Sequence, residues 1–331
     1  MSRSLRRGDS RTGTRSAGRG GIAPTPWPDG GSDPGKVGCS AVEPIIVEAT
    51  RGGVIEATHR VHAVAVLDGR IVESCGDPLL VTHLRSSAKP IHAVTVLRAR
   101  PDLDEVDIAI ACASHLARPE QLEAVRRLLA KAPADEDELE CGPEPTPLEH
   151  TCSGKHAAML ALCRVKGWPG EGYRLADHPC QQAMRTDLAT AAEIDSDALQ
   201  IAADGCGAVT FALPLERMAH AFSRLERLDA GERVVGAMRA HPDLIRGPRE
   251  TDTMLMRAQR GWVAKIGAEG LLCAASPDGL GIALKVEDGA MGAVRSALGA
   301  FLARLGLETG ELADVPVENS LGEVVGELRP V

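Results

Sequence analysis

Arg85-Ser86-Ser87-Ala88-Lys89-Pro90 places a serine three residues before a lysine, at the head of a segment, Ala88 to Arg98, with the apolar spacing of a helix. Positions i and i+3 of a helix share a face, so the Ser86 hydroxyl and the Lys89 amine can meet. A serine hydroxyl is a weak nucleophile. A lysine that has lost its proton is one of the few side chains able to activate it. Taken alone, the same residues also make an N-cap serine and an exposed lysine, so the segments around them matter.

Upstream, Ile45 to Ala49, Val54 to Ala57, Val61 to Leu67 and Ile71 to Ser74 have the pattern of strands, broken at Gly52-Gly53 and at Asp68-Gly69. The Asp-Gly pair predicts a hairpin turn. Downstream, Val106 to Ala113 fits a buried strand or a helix, and Pro119 to Ala130, Lys155 to Val165 and Pro179 to Ala192 fit helices. Leu215 to Leu228 and Ala230 to Met238 are also helical in pattern, and Gly205 to Gly207 is a tight turn. Near the end, Val263 to Ala275 and Gly281 to Glu287 are expected as two strands with Pro277-Asp278-Gly279 between them, followed by a helix from Ala290 to Leu305. Strands at both ends and helices between them predict one sheet built from both termini, with a helical lobe in the middle.

The chain has 331 residues, 44% hydrophobic and 25% charged, a balance that fits a soluble globular protein. Only 2% are aromatic, so the core must come from Ala, Val, Leu and Ile. Tyr173 is the single tyrosine, so a lysine or a water is expected to take any second proton-carrying role. Residues 1–38 carry seven basic and three acidic side chains, whereas the remainder carries 30 basic and 43 acidic. The acidic body argues against nucleic-acid binding. The basic, Gly/Ser/Pro/Arg-rich stretch over residues 1–40 lacks the aliphatics to fold and is expected to be a disordered tail. No segment has the apolar length to span a membrane or serve as an export signal. Nine irregularly spaced cysteines then fit reduced thiols in a cytoplasmic protein.

Four further blocks carry candidate chemistry. Lys265-Ile266-Gly267 offers a second positive charge that would lower the Lys89 pKa, and a glycine that lets substrate approach a strand. Ala113-Ser114-His115 offers a hydroxyl that could relay a proton between the two lysines. Cys152, Lys155 and His156 fall within five residues, and Asp204-Gly205-Cys206-Gly207 adds a cysteine and a carboxylate. Two cysteines, a histidine and a carboxylate could hold zinc at an open site, although buried free thiols give the same pattern. Arg249, Asp252 and Thr253 are expected to form an Arg–Asp pair holding a loop.

The Ser-x-x-Lys and Lys-x-Gly elements are those of penicillin-recognising enzymes. Taken in order with Val47 to Gly53, Cys112 to His115, Cys152 to His156, Asp204 to Gly207, Lys265 to Gly270 and Gly279 to Lys285, the set resembles the asparaginase II family, the inducible Rhizobium type. The resemblance spans about Val47 to Leu305. It implies an α+β fold: a serine β-lactamase-like and glutaminase-like α/β sandwich, with an antiparallel sheet flanked by helices plus a helical lobe. A single catalytic domain would cover residues 41–331, with the sheet lobe from about 41–85 and 255–331 and the helical lobe from about 86–254. The implied activity is hydrolysis of L-asparagine to L-aspartate and ammonia. The implied catalytic pairs are Ser86 with Lys89 and Ser114 with Lys265. Arg85, Lys155, His156 and Asp204 would line the substrate pocket, Cys152, Lys155 and Cys206 would bind zinc, and the chain would be a homodimer. Two alternatives stay open at this point. One is another amide on the same fold: glutamine, a β-lactam or a peptide. The other is a non-catalytic zinc-binding protein.

Overall fold

The computed structural model describes residues 43–143, 145–313 and 315–331. The tail expected over residues 1–40 lies outside them. In chain order the elements begin with strands β1 (Ile45–Arg51), β2 (Val54–Leu67), β3 (Arg70–Cys75) and β4 (Val81–His83). Helices α1 (Lys89–Ala99), α2 (Glu105–Cys112), α3 (Pro119–Lys131), α4 (Ser153–Lys166) and α5 (Pro179–Ala192) follow. Then come β5 (Gln200–Ala203), β6 (Val209–Pro214), α6 (Leu215–Ser223), α7 (Gly231–Ala240), α8 (Pro242–Ile245) and α9 (Thr251–Ala258). The chain closes with β7 (Val263–Gly267), β8 (Leu271–Ala275), β9 (Gly281–Val286), α10 (Ala293–Arg304), β10 (Val315–Glu318) and β11 (Val324–Pro330).

The main sheet runs β10-β11-β1-β2-β9-β8-β7, with β3 also paired to β2. Every pairing is antiparallel, and β1 lies between β11 and β2, so the two ends of the chain are joined in one sheet. Helix α6 packs on β9, β2 and β8, and α10 packs across β1, β11, β9 and β2. Every residue of β7, β8 and β9 is buried, which requires cover on both faces. This is the α+β architecture expected: an antiparallel sheet flanked by helices, and a helical lobe in which α1 contacts α2, α4, α5 and α7. Helix α1 is buried from Lys89 through Leu97, so it is the axle of that lobe.

Several elements differ from the sequence expectation, and helices α8 and α9 were not expected. The expected Val263 to Ala275 strand is two strands, turned back at Ala268-Glu269-Gly270, where Glu269 and Gly270 have φ of +60° and +71°. Strands Val54 to Ala57 and Val61 to Leu67 are one 14-residue strand whose outer half is largely exposed, so its polar residues only looked like a break. The hairpin β10–β11 and the small sheet β4-β6-β5 were not expected as strands.

Candidate active site

The 3-10 turn Arg85–Ala88 joins β4 to α1 and carries Ser86. Arg85 has φ of +50°, a left-handed conformation that strains a residue with a side chain. Three bonds hold it there. Leu84 N donates to Phe211 O (2.8 Å), Arg85 N donates to Thr210 Oγ1 (3.1 Å), and Arg85 Nε donates to Asp204 Oδ1 (2.6 Å). Ser87 Oγ donates to Lys265 O (2.8 Å) and so ties the turn to β7. Pro90 then sits in the first helical turn, where its missing N–H costs nothing. Ser86 is left half-buried, and its hydroxyl has no hydrogen-bond partner among the described residues.

Lys89 is almost fully buried. Its Nζ donates to Ala113 O (2.5 Å) and to Ser114 Oγ (3.0 Å). Burial pulls its pKa below the ordinary lysine value, and the Lys155 charge adds to this while the Cys152 and Cys206 sulfurs oppose it. Ser114 follows the end of α2 and is pinned by its N–H on Ile245 O (2.8 Å). The next residue, His115, bonds Ser153 Oγ through Nε2 (2.7 Å), and burial pushes its pKa down to about 4. Lys265, on β7, is fully buried; its Nζ donates to Ile266 O (2.8 Å) and lies 3.5 Å from Asp252 Oδ2. Burial, with the charges of Lys89 and Arg246, lowers its pKa to about 7 against the opposing Asp252 carboxylate.

Of the four residues in the two expected serine–lysine pairs, Ser86 and Ser114 share one cleft, and the one contact recorded runs across the pairs, from Lys89 to Ser114. Asp252 is a residue the sequence argument placed differently. It was expected to face Arg249, but Arg249 is exposed, whereas Asp252 is fully buried against Lys265. Its Oδ2 also accepts from Ile266 N (3.2 Å), and its Oδ1 from Thr253 N (3.0 Å).

An open cleft of about 300 Å³ is lined by Ser86, Ser114, Thr151, Arg246, the Ile266-Gly267-Ala268-Glu269 segment, Gly289 and Met291. A Cβ at Gly267 would stand 3.0 Å from Leu84 O and 3.1 Å from Ser87 Oγ, so glycine lets β7 lie directly against the serine turn. The N–H groups of Ser86 and Ala268, both in the cleft wall, have no acceptor among the described residues. Two such donors beside a serine are what an oxyanion requires.

A second cluster adjoins the first. Lys155 Nζ donates to Cys206 Sγ (3.1 Å), and Cys152 shares hydrogen bonds with both Cys206 and Lys89. The bond from Cys206 holds Cys152 well below the ordinary thiol pKa against burial; the same bond, with burial, pushes Cys206 up. Burial pulls Lys155 down, but the two sulfurs and Asp204 outweigh it and hold the amine above its usual value. His156 is fully buried with Nδ1 on the Tyr173 hydroxyl (2.8 Å), and burial keeps it neutral. None of these residues is in the wall of the serine cleft. Among the described residues no group of three or more His, Cys, Asp or Glu side chains is arranged to hold a metal. Three donors converge only when lysine is included: two sulfurs and one amine. A metal bound there would have to displace the Lys155 proton, which the two sulfurs and Asp204 hold in place.

The profile of the L-asparaginase II family matches residues 47–330. The chain belongs to the L-asparaginase II family. Membership makes it an amidohydrolase. No curated protein matches the chain. Solved structures similar to this L-asparaginase II family member include a probable glutaminase from Bacillus subtilis complexed with 6-diazo-5-oxo-L-norleucine. It is 12% identical, covers 75% of this chain and 84% of its own, and has a TM-score of 0.35. SurE with D-Leu is 14% identical over 79% of this chain and 75% of its own, with a TM-score of 0.39. Native Mglu is 14% identical over 76% of this chain, with a TM-score of 0.36, and the chain spans 66% of its length. No helix among the described residues of the family member is long and apolar enough to cross a membrane.

Proposed function

We propose that the protein hydrolyses the side-chain amide of L-asparagine to L-aspartate and ammonia, with a serine as nucleophile and lysines as bases. The observation that carries this is Lys89, buried, with Nζ 3.0 Å from Ser114 Oγ at a cleft that Ser86 shares. Ser86 is the nucleophile in this reading, because its hydroxyl is the more accessible and no other partner holds it. Lys89, which burial biases toward the neutral amine, takes the Ser86 proton as Oγ bonds to the amide carbon. The Ser86 and Ala268 N–H groups receive the negative charge on the amide oxygen. Ser114 and Lys265, which must start as the neutral amine, then take that proton from Lys89 and pass it to the departing ammonia, and water cleaves the ester.

Cys152, Lys155 and Cys206 would hold zinc, which when bound supplies a fixed positive charge beside the serine site. Asp204 and Arg85 brace that neighbourhood through their 2.6 Å ion pair. The same reading takes the protein as a homodimer, and as cytoplasmic, the latter in keeping with described cysteines that are all free and buried.

Ammonia release from L-asparagine, with L-glutamine in parallel and zinc added or chelated, tests the proposal. Release is expected from asparagine, falling at least about 10³-fold in Ser86→Ala, the scale of losing a catalytic nucleophile. Substantial turnover by Ser86→Ala would transfer the nucleophile's role to Ser114. Release from glutamine alone would move the substrate to the longer amide.

A further inference from the structure

Among the residues that line the serine cleft, two carry a formal charge, and the charges are opposite: Arg246 and Glu269. Neither was singled out by the sequence argument. Arg246 follows α8. Its carbonyl accepts from Gln121 Nε2 (2.7 Å) and its Nε donates to Glu250 Oε2 (2.5 Å), so the residue is fixed in place. Its two Nη groups have no partner among the described residues, so four guanidinium hydrogens are available. The field of Arg246 reaches Lys265, so the guanidinium is near the catalytic lysines. Glu269 stands on the β7–β8 turn, exposed, at φ of +60°. Its Oε2 lies close to Gly289, another residue of the cleft wall: a Cβ added at Gly289 would stand 2.7 Å from it.

We propose that Arg246 binds the α-carboxylate and Glu269 the α-ammonium of a free α-amino acid whose side-chain amide lies at Ser86. This rests on the amide-hydrolase reading above and specifies what the cleft recognises. An α-amino acid presents one cation and one anion on a single carbon, and the wall offers one partner for each. A neutral amide, a β-lactam or an internal peptide residue would leave the free Nη groups of Arg246 or the Glu269 carboxylate without a ligand group to bond. The arrangement also separates the labour of the two clusters. The thiol–lysine set lies outside the cleft wall, and the two charged residues lie in it.

Calorimetric titration with L-aspartate, the product, reads this without turnover. The wild type is expected to bind L-aspartate about tenfold more tightly than succinate, which lacks the ammonium, and than β-alanine, which lacks the α-carboxylate. That is the scale of one charge-assisted contact at a partly exposed site. Glu269→Gln, on an exposed turn, is expected to weaken L-aspartate about tenfold, raise KM for L-asparagine similarly with kcat nearly unchanged, and leave succinate binding unaltered. Arg246→Gln, checked for folding by thermal melting, should weaken L-aspartate and leave β-alanine unaltered. Equal binding of all three ligands by the wild type, no binding of L-aspartate, or an unchanged Glu269→Gln variant would overturn the assignment. Wild-type protein that binds L-aspartate in this Glu269-dependent way yet releases no ammonia from asparagine would support the amino-acid site and overturn the reaction instead.

Discussion

A buried lysine can serve as a base at neutral pH only if its surroundings keep it from holding its proton. Lys265 meets this condition through burial and the nearby Lys89 and Arg246 charges, while Asp252 and, more weakly, Cys152 work against it. The sign is therefore fixed: the carboxylate raises the Lys265 pKa, and removing its charge lowers it. Wild-type kcat/KM for asparagine is expected to rise through about pH 7 as Lys265 loses its proton. In Asp252→Asn, which can keep the bond to Ile266 N, that limb should move down by about one unit, the low end of a charge-pair shift. A pH–rate profile that keeps its position, or moves upward, would remove Lys265 from the rate-determining protonation. Ser86, Lys89, Ser114 and Lys265 were singled out because each sits in a short motif, Ser-x-x-Lys, Ala-Ser-His or Lys-x-Gly, next to an apolar helix or strand pattern. Asp252 was misassigned because its partner, 13 residues on, is brought to it by β7, whereas Arg249 is merely near in sequence. Arg246 and Glu269 gave no signal, since a charged residue in a loop or turn looks the same whether it faces bulk water or a cleft.

At the scale of elements, the site depends on how closely α4 approaches α2. Gly154, in the first turn of α4, is packed so tightly that a Cβ would stand 2.1 Å from Ile110 O and 2.9 Å from Ile110 C, both backbone atoms of α2. Backbone cannot swing aside as a flexible side chain can, so any side chain must push α4 away. Because Cys152 and Lys155 flank Gly154, and Ser114 follows α2, the displacement would also pull the thiol–lysine set away from the serine cleft. Gly154→Val is expected to cost about 3 kcal/mol of stability, the upper range for overpacking, lowering the melting midpoint by roughly 6 °C for a chain of this size. An unchanged midpoint, measured by circular dichroism, would show that the two helices have room to part. Helices were the most legible elements, since their apolar period survives wherever one face is polar. The β7–β8 hairpin was not, because strands buried on both faces lose their alternation and merge into one apolar run. Hairpin β10–β11 failed for the opposite reason: its residues are half or fully exposed, so no apolar face marks it.

For the whole molecule, the sheet order separates stability from chemistry. The serine cleft is built against β7, at one edge, while β10 and β11 lie at the far edge beyond β1. Strand β11 nevertheless closes the fold. It pairs Val47, Glu48 and Ala49 of β1 with Pro330, Arg329 and Leu328, and it packs under α10. At Gly326 it comes so close that a Cβ would stand 1.8 Å from Thr50 O. Deleting residues 315–331 would turn β1 into an exposed edge carrying a fully buried Val47, the arrangement that invites strand pairing between molecules. The truncated protein is expected to melt at a lower temperature and to aggregate on heating. Its soluble, folded fraction should retain asparagine kcat/KM within about twofold, since no residue of the deleted strands lines the cleft. Melting at the full-length temperature would mean that β10 and β11 contribute little to closing the sheet. A folded truncation with a large loss of kcat/KM would instead mean that the far edge holds β7 and the serine turn in register through the four strands between them.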